Sequence, residues 1–201
     1  MNRLLTAVPA DAAALGGWIT DAERAVAAAF GSERRRREFL TWRAVVRRTL
    51  GAGLRIAYDP LGAPALPDLP LHLSVAHCAG CVVVALSEAP CAVDAEPSDR
   101  DFSRVRARYL TPSEEALSAD PCWPAVAWCA KETLYKYARR PGLDLCRDLP
   151  LVGVDLAAGR VTGRIEGGAP LTMRIDRPGE VFVVSRFGDP EAPVSVEQVR
   201  F

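Results

Sequence analysis

The sequence predicts an α+β fold built from two similar subdomains, and three observations carry that expectation. Segments of helical period and segments of strand period occur in both halves of the chain. Pro70-Leu71 recurs as Pro170-Leu171 and Val83-Val84 as Val183-Val184, so two hairpin stretches run in register at an offset of 100 residues. The 201 residues are 49% hydrophobic, enough to build a proper core. A repeated unit places its ligand between the two copies. The break is expected near Pro97-Ser98, giving pseudo-symmetric subdomains 1–97 and 98–201, each a small antiparallel sheet packed with helices, with the active site in the cleft between them.

Taken in order, Asn2 to Val8 reads as a short strand. Thr20-Asp21-Ala22-Glu23 is a capping box, with a hydroxyl at the N-cap and a carboxylate three residues on, so a helix starts there. A second helical pattern runs from Ser32 to about Leu50. Its apolar positions Phe39, Trp42, Val46 and Leu50 share one face, and Gly51 and Gly53 stop it. Tyr58 to Pro70 is a Pro- and Gly-rich connection. A hairpin follows, Leu71 to Ala76 and Cys81 to Ser87, with Ala79-Gly80 near its turn. Thr111, Pro112 and Glu114 form a second capping-box helix start. A long helix, Trp123 to Arg139, ends at Pro141-Gly142. The remainder is β-rich.

Composition narrows the function. Lys+Arg and Asp+Glu are 25 each, and the pI is about 6.7, whereas a protein living on bulk nucleic acid is usually more basic. No apolar run is long enough to span a membrane, and Arg3, Pro9 and Asp11 interrupt the first segment too early for a signal peptide. A cytoplasmic, monomeric protein with six reduced cysteines is expected. Cys78-Ala79-Gly80-Cys81 has no second pair or spaced histidines to complete a zinc site. The helix from Ser32 carries Arg34, Arg35, Arg36, Arg37, Arg43, Arg47 and Arg48, which reads either as a solvated face or as a nucleic-acid-binding surface.

The most informative stretch runs from Ala92 to Lys136. In a strand, Asp94 and Glu96 of Val93-Asp94-Ala95-Glu96 point the same way. In a helix, Trp128, Glu132 and Lys136 stack on one face. If strand and helix meet, three carboxylates and a lysine converge, and such carboxylates repel one another unless a cation sits between them. An oxygen-only ligand set with open positions suits Mg²⁺, which keeps waters and binds substrate phosphate. The plain alternative is a polar strand rim beside a surface ion pair.

The order V-D-x-E followed by W-C-x-K-E-x-x-x-K resembles the 4′-phosphopantetheinyl transferase superfamily, in its larger, pseudo-dimeric branch of the surfactin-synthetase-activating type. The resemblance implies transfer of the phosphopantetheine arm of coenzyme A to a serine of an apo acyl or peptidyl carrier protein. Adenosine 3′,5′-bisphosphate is released, and Mg²⁺ or Mn²⁺ is required. It implies metal ligation by Asp94, Glu96 and Glu132, with Asp94, Glu132 and Lys136 as catalytic residues and Glu114 near the metal. Phosphate contacts are implied for Arg24, Arg34, Arg43, His77, Lys131 and Lys136. Carrier docking is implied around Arg104, Val105, Tyr109 and Leu110. The pattern F-L-x-x-R-x-x-x-R matches Phe39, Leu40, Arg43 and Arg47. Two departures stand out: Gly62-Ala63-Pro64 where the family has Gly-Lys-Pro, and Ala76-His77-Cys78 where it has Ser-His-Ser. A catalytically inactive relative that binds coenzyme A or carrier protein is the alternative reading.

Overall fold

The computed structural model describes residues 1–201. Its elements, in order, are β1 (Asn2–Ala7), α1 (Ala12–Leu15), α2 (Asp21–Ala28), α3 (Glu33–Leu50), β2 (Ala57–Tyr58), β3 (Pro64–Ala65), β4 (His72–Cys78), β5 (Cys81–Ser87), β6 (Cys91–Pro97), α4 (Pro112–Glu115), α5 (Trp123–Ala138), β7 (Leu151–Asp155), β8 (Arg160–Gly163), β9 (Leu171–Asp176), β10 (Val181–Phe187) and β11 (Val194–Gln198). The fold is α+β. The strands make a four-stranded sheet in the order β11-β1-β5-β4, a five-stranded sheet β6-β10-β9-β8-β7 and a two-stranded ribbon β2-β3. All pairings are antiparallel except β1 with β11.

The chain divides into two compact units, 1–88 with 193–201, and 89–192. The boundary expected at Pro97-Ser98 is therefore displaced. β6 pairs with β10 along its whole length, from Cys91↔Phe187 to Val181↔Pro97, so the acidic strand joins the second unit instead of ending the first. β11 returns to the first unit by pairing with β1.

In the first unit, Thr20 caps α2 as a full capping box, and Ser32 caps α3 separately, so the two helical patterns are two helices. The β4–β5 hairpin closes on Ala79-Gly80, where Gly80 takes φ +82°, a left-handed conformation open to glycine. Trp42, Val45 and Val46 of α3 pack with Leu5 of β1 and with Val82, Val84 and Leu86 of β5. Burial on α3 is wider than one apolar stripe. Arg43 and Arg47 are also enclosed, because Glu23 of α2 accepts two hydrogen bonds from Arg47 at 2.7 and 2.8 Å and lies 3.5 Å from Arg43.

In the second unit, β10 reads V-F-V-V-S-R-F, lies between β6 and β9 and is buried throughout. α5 packs against β6 and β10. Gly163 of β8 permits its approach, since a Cβ there would lie 2.7 Å from Leu134. The internal polar network of this unit centres on Glu114 and Lys131. Glu114 closes the capping box of α4 through Oε2. Its Oε1 accepts from Lys131 Nζ at 2.5 Å and from the Leu151 N–H at 2.8 Å. Lys131 is fully enclosed and donates also to the Leu145 carbonyl at 2.7 Å. One buried pair thus joins α4, α5, the 145 loop and β7. Removing one partner of such a pair leaves an uncompensated internal charge. Lys131→Met is expected to cost about 3–5 kcal/mol in urea unfolding, and adding Glu114→Gln should recover part of that loss. A neutral Lys131→Met would show that the pair does not hold the unit together.

Candidate active site

The register of β6 on β10 fixes where the acidic side chains go. Asp94 stands opposite Val184 and Glu96 opposite Phe182, and directly opposed residues share a face. Phe182 and Val184 belong to the core packed under α5, so both carboxylates emerge on the helix side of the sheet. α5 is held in register on β10 by Thr133 Oγ1, which donates to the Val184 carbonyl at 3.0 Å, and by a weaker contact of Cys129 Sγ with the Phe182 carbonyl at 3.9 Å. With those residues on β10, the Trp128–Glu132–Lys136 row faces β6. Lys136 Nζ donates to Asp94 Oδ1 at 2.8 Å and to the Val93 carbonyl at 2.9 Å.

The electrostatics reflect that convergence. Burial pushes the Glu132 carboxyl above its ordinary pKa of 4.5, and Asp94 and Glu96 push it further while Lys136 opposes them. Burial also raises Glu96, with Asp94 adding to the rise and hydrogen bonds from Arg100 and Trp128 opposing it. Phe102, Tyr109 and Trp128 form an aromatic cluster with centroids 5.1 to 6.0 Å apart, Tyr109 meeting the other two edge-on, and this cluster supports Trp128. The Arg100 guanidinium pairs with Glu96 and lies 4.7 Å over the Phe102 ring.

Three carboxylates on one face form an oxygen-only donor set of the kind hard divalent cations take. No three of them are drawn together as a closed metal cage, because Asp94 is held by Lys136 and Glu96 by Arg100. The second Asp94 oxygen, Oδ2, is buried without a hydrogen-bond partner. An orphaned buried carboxylate oxygen is costly unless something else satisfies it. Mg²⁺ needs only one or two carboxylates besides water and phosphate, so these residues fit it.

The other expected site residues separate into accessible and enclosed groups. Lys131 and Glu114 are buried in each other's company, so neither is a ligand or metal contact. Arg43 is enclosed too. It donates to the Phe39 carbonyl and the Tyr58 hydroxyl and stacks on Phe39 and Trp42, which makes it a core arginine. Arg24 is part-exposed, with its guanidinium on the Ala12 and Gly16 carbonyls. Arg34 and His77 are exposed, and both approach Glu38. Around the docking stretch, Arg104 is exposed and Val105 half-buried. Tyr109 and Leu110 are core residues, and the Tyr109 hydroxyl donates to the Pro124 carbonyl. Cys78 and Cys81 are buried and in no disulfide, and burial pushes Cys81 up to about 11, leaving that thiol protonated at neutral pH.

Sequence reasoning missed Arg100 and Glu38. Glu38 carried one local signal, its i+4 spacing from Arg34, but its approach to His77 joins positions 39 residues apart and has none.

No curated protein matches the chain. Residues 90–175, the segment that contains β6, α4 and α5 and with them every carboxylate of this site, match the family model of the 4′-phosphopantetheinyl transferase superfamily.

Proposed function

We propose that the protein is a Mg²⁺-dependent 4′-phosphopantetheinyl transferase acting on an apo acyl or peptidyl carrier protein. The observation that carries this reading is the face on which Asp94, with its unpartnered Oδ2, lies in the electrostatic reach of Glu96 and Glu132 and is gripped by Lys136. The superfamily match over the same segment supports it. Asp94, Glu96 and Glu132 would hold Mg²⁺, which when bound supplies neutralising charge to the diphosphate of coenzyme A; Mn²⁺ would serve in the same donor set. Phosphoryl transfer needs mainly positioning and charge stabilisation from a protein. The serine hydroxyl of the carrier forms a bond to the β-phosphorus, and the bond to adenosine 3′,5′-bisphosphate breaks. Glu132 takes the serine proton directly or through a water. A positioned carboxylate is a common general base for a hydroxyl nucleophile. Lys136 stabilises phosphate charge from its place on Asp94, and Arg34, Arg24 and His77 supply phosphate contacts in the first unit. The accessible part of the docking stretch, Arg104 and Val105, meets the acidic carrier.

The first test is the intact mass of an apo carrier protein incubated with this protein, coenzyme A and Mg²⁺. A gain of about 340 Da, one phosphopantetheine, is expected and should vanish with chelator or with Glu96→Ala. Coenzyme A binding without any gain across several apo carriers would instead identify a non-catalytic relative. Charge reversal at the exposed Arg104 should raise the KM for the carrier several-fold and leave that for coenzyme A unchanged; equal changes in both would remove the docking assignment.

A stability measurement checks the carboxylate cluster without any turnover. A carboxyl whose pKa is raised on folding binds its proton more tightly in the native state, so it penalises the fold wherever it is ionised. For Glu132 that penalty is absent below about pH 4.5, sets in as pH rises through the folded value, and is complete above it. In divalent-free buffer at pH 7, Glu132→Gln should therefore raise Tm by roughly 2–4 °C, and the gain should disappear near pH 4. Added Mg²⁺ should raise the wild-type Tm and leave the variant nearly unmoved. A lowered Tm for Glu132→Gln at pH 7 would contradict the arrangement.

A further inference from the structure

Glu38 is the acidic side chain that neither the sequence reading nor the proposed chemistry uses. It sits in the middle of the arginine-rich helix, and its side chain is 5% exposed. A carboxylate taken that far from water costs several kcal/mol unless charged partners compensate it. Its charged neighbours come from two elements. Arg34 Nε, one turn earlier on α3, lies 3.6 Å from Oε1. His77 Nδ1, on β4, lies 3.2 Å from Oε2. Both partners are themselves open to solvent, Arg34 71% and His77 50% exposed. The strand beside His77 faces it with Val82, which carries no charge.

We propose that Glu38 is a positioning residue that assembles an anion-binding corner from Arg34 and His77. The reading rests on the proposed function, in which the anion is a phosphate of coenzyme A. A carboxylate 3.2 Å from Nδ1 favours the tautomer that carries its proton there and leaves Nε2 for a ligand. In the imidazolium form both nitrogens donate, one to Glu38 and one to a phosphate oxygen. The same carboxylate attracts the Arg34 guanidinium from 3.6 Å, so charged groups from two elements gather around one buried anion. The ordering cost is met by the fold before the ligand arrives. Glu38 touches neither the ligand nor the reacting atoms, and its effect passes through its two partners.

Two measurements on the full chain test this. The chain has only two histidines, so ¹⁵N imidazole spectra resolve His77 with His72 as internal control. The proton is expected on Nδ1 of His77 in the wild type and should lose that preference in Glu38→Leu, with His72 unchanged. Leucine suits the site because replacing a buried charge by an apolar side chain of similar volume commonly preserves or improves stability. Affinity for coenzyme A and for adenosine 3′,5′-bisphosphate should fall about five- to tenfold in Glu38→Leu. In an Arg34→Gln/His77→Gln background the same change should have no further effect. A purely structural role for Glu38 would persist in that background, and additive losses would overturn the proposal. A His77 spectrum that Glu38→Leu does not alter would overturn it as well. If the wild type binds neither probe while the Nδ1 signature is present, the coenzyme A reading fails and the corner loses its assigned ligand.

Discussion

An ammonium group with no access to water determines much of the second unit. Lys131 is completely enclosed, and its charge is tolerated because Glu114 and the Leu145 carbonyl surround it. An unpaired ammonium in that position would be several kcal/mol worse, so α5 is restrained from rotating or sliding away from them. A rigid helix with one residue fixed has all its other faces fixed too. Thr133 then lies on β10, and the row from Trp128 to Lys136 lies over β6. The row that carries Glu132 is turned toward the acidic strand while a neighbouring lysine is locked on a different face of the same helix.

That division of labour explains which parts of the chain could be read in advance. Capping boxes at Thr20 and Thr111 are local patterns, and both helices start where those patterns put them. The 100-residue offset also survives, since β5 and β10 occupy Cys81–Ser87 and Val181–Phe187. The acidic alternation on β6 and the four-residue spacing on α5 are equally local. Lys131 and Glu132 are adjacent and both charged, and nothing in the sequence separates the enclosed one from the accessible one. That is decided by Glu114 and Leu145, which are brought in by the fold. The subdomain boundary failed for a similar reason. β6 finds its partner in β10, and β11 finds its own in β1, almost the whole chain away. Pairings at that separation leave no periodic trace.

The arginine-rich helix shows the same limit from another side. Its seven arginines look like one surface in sequence, yet they serve different purposes. Arg47 and Arg43 are internal and share Glu23, whose own pKa is held down by those contacts and the Thr20 N–H despite partial burial. Arg37 pairs with Glu33, and Arg36 donates to the Phe30 carbonyl. A helix that spends its charge this way presents less net positive potential than its composition implies. Arg34, Arg35, Arg37 and Arg48 remain outward, three of them gathered at the start of the helix.

The two cations that hold the acidic face differ in how firmly they are attached. Lys136 is bound twice, to Asp94 and to the Val93 carbonyl, so it is part of the helix-to-sheet contact and stays when the charge around it changes. Arg100 sits on an exposed loop, held to Glu96 and over the faces of Phe102 and Trp128. A guanidinium loses little by moving from one aromatic-flanked, solvated position to another. Of the two carboxylates engaged on β6, Glu96 is therefore the one whose counterion can be exchanged. Asp94 already offers a free oxygen beside it. The face thus combines one cation bound twice within the strand–helix contact with another that reaches Glu96 from an exposed loop.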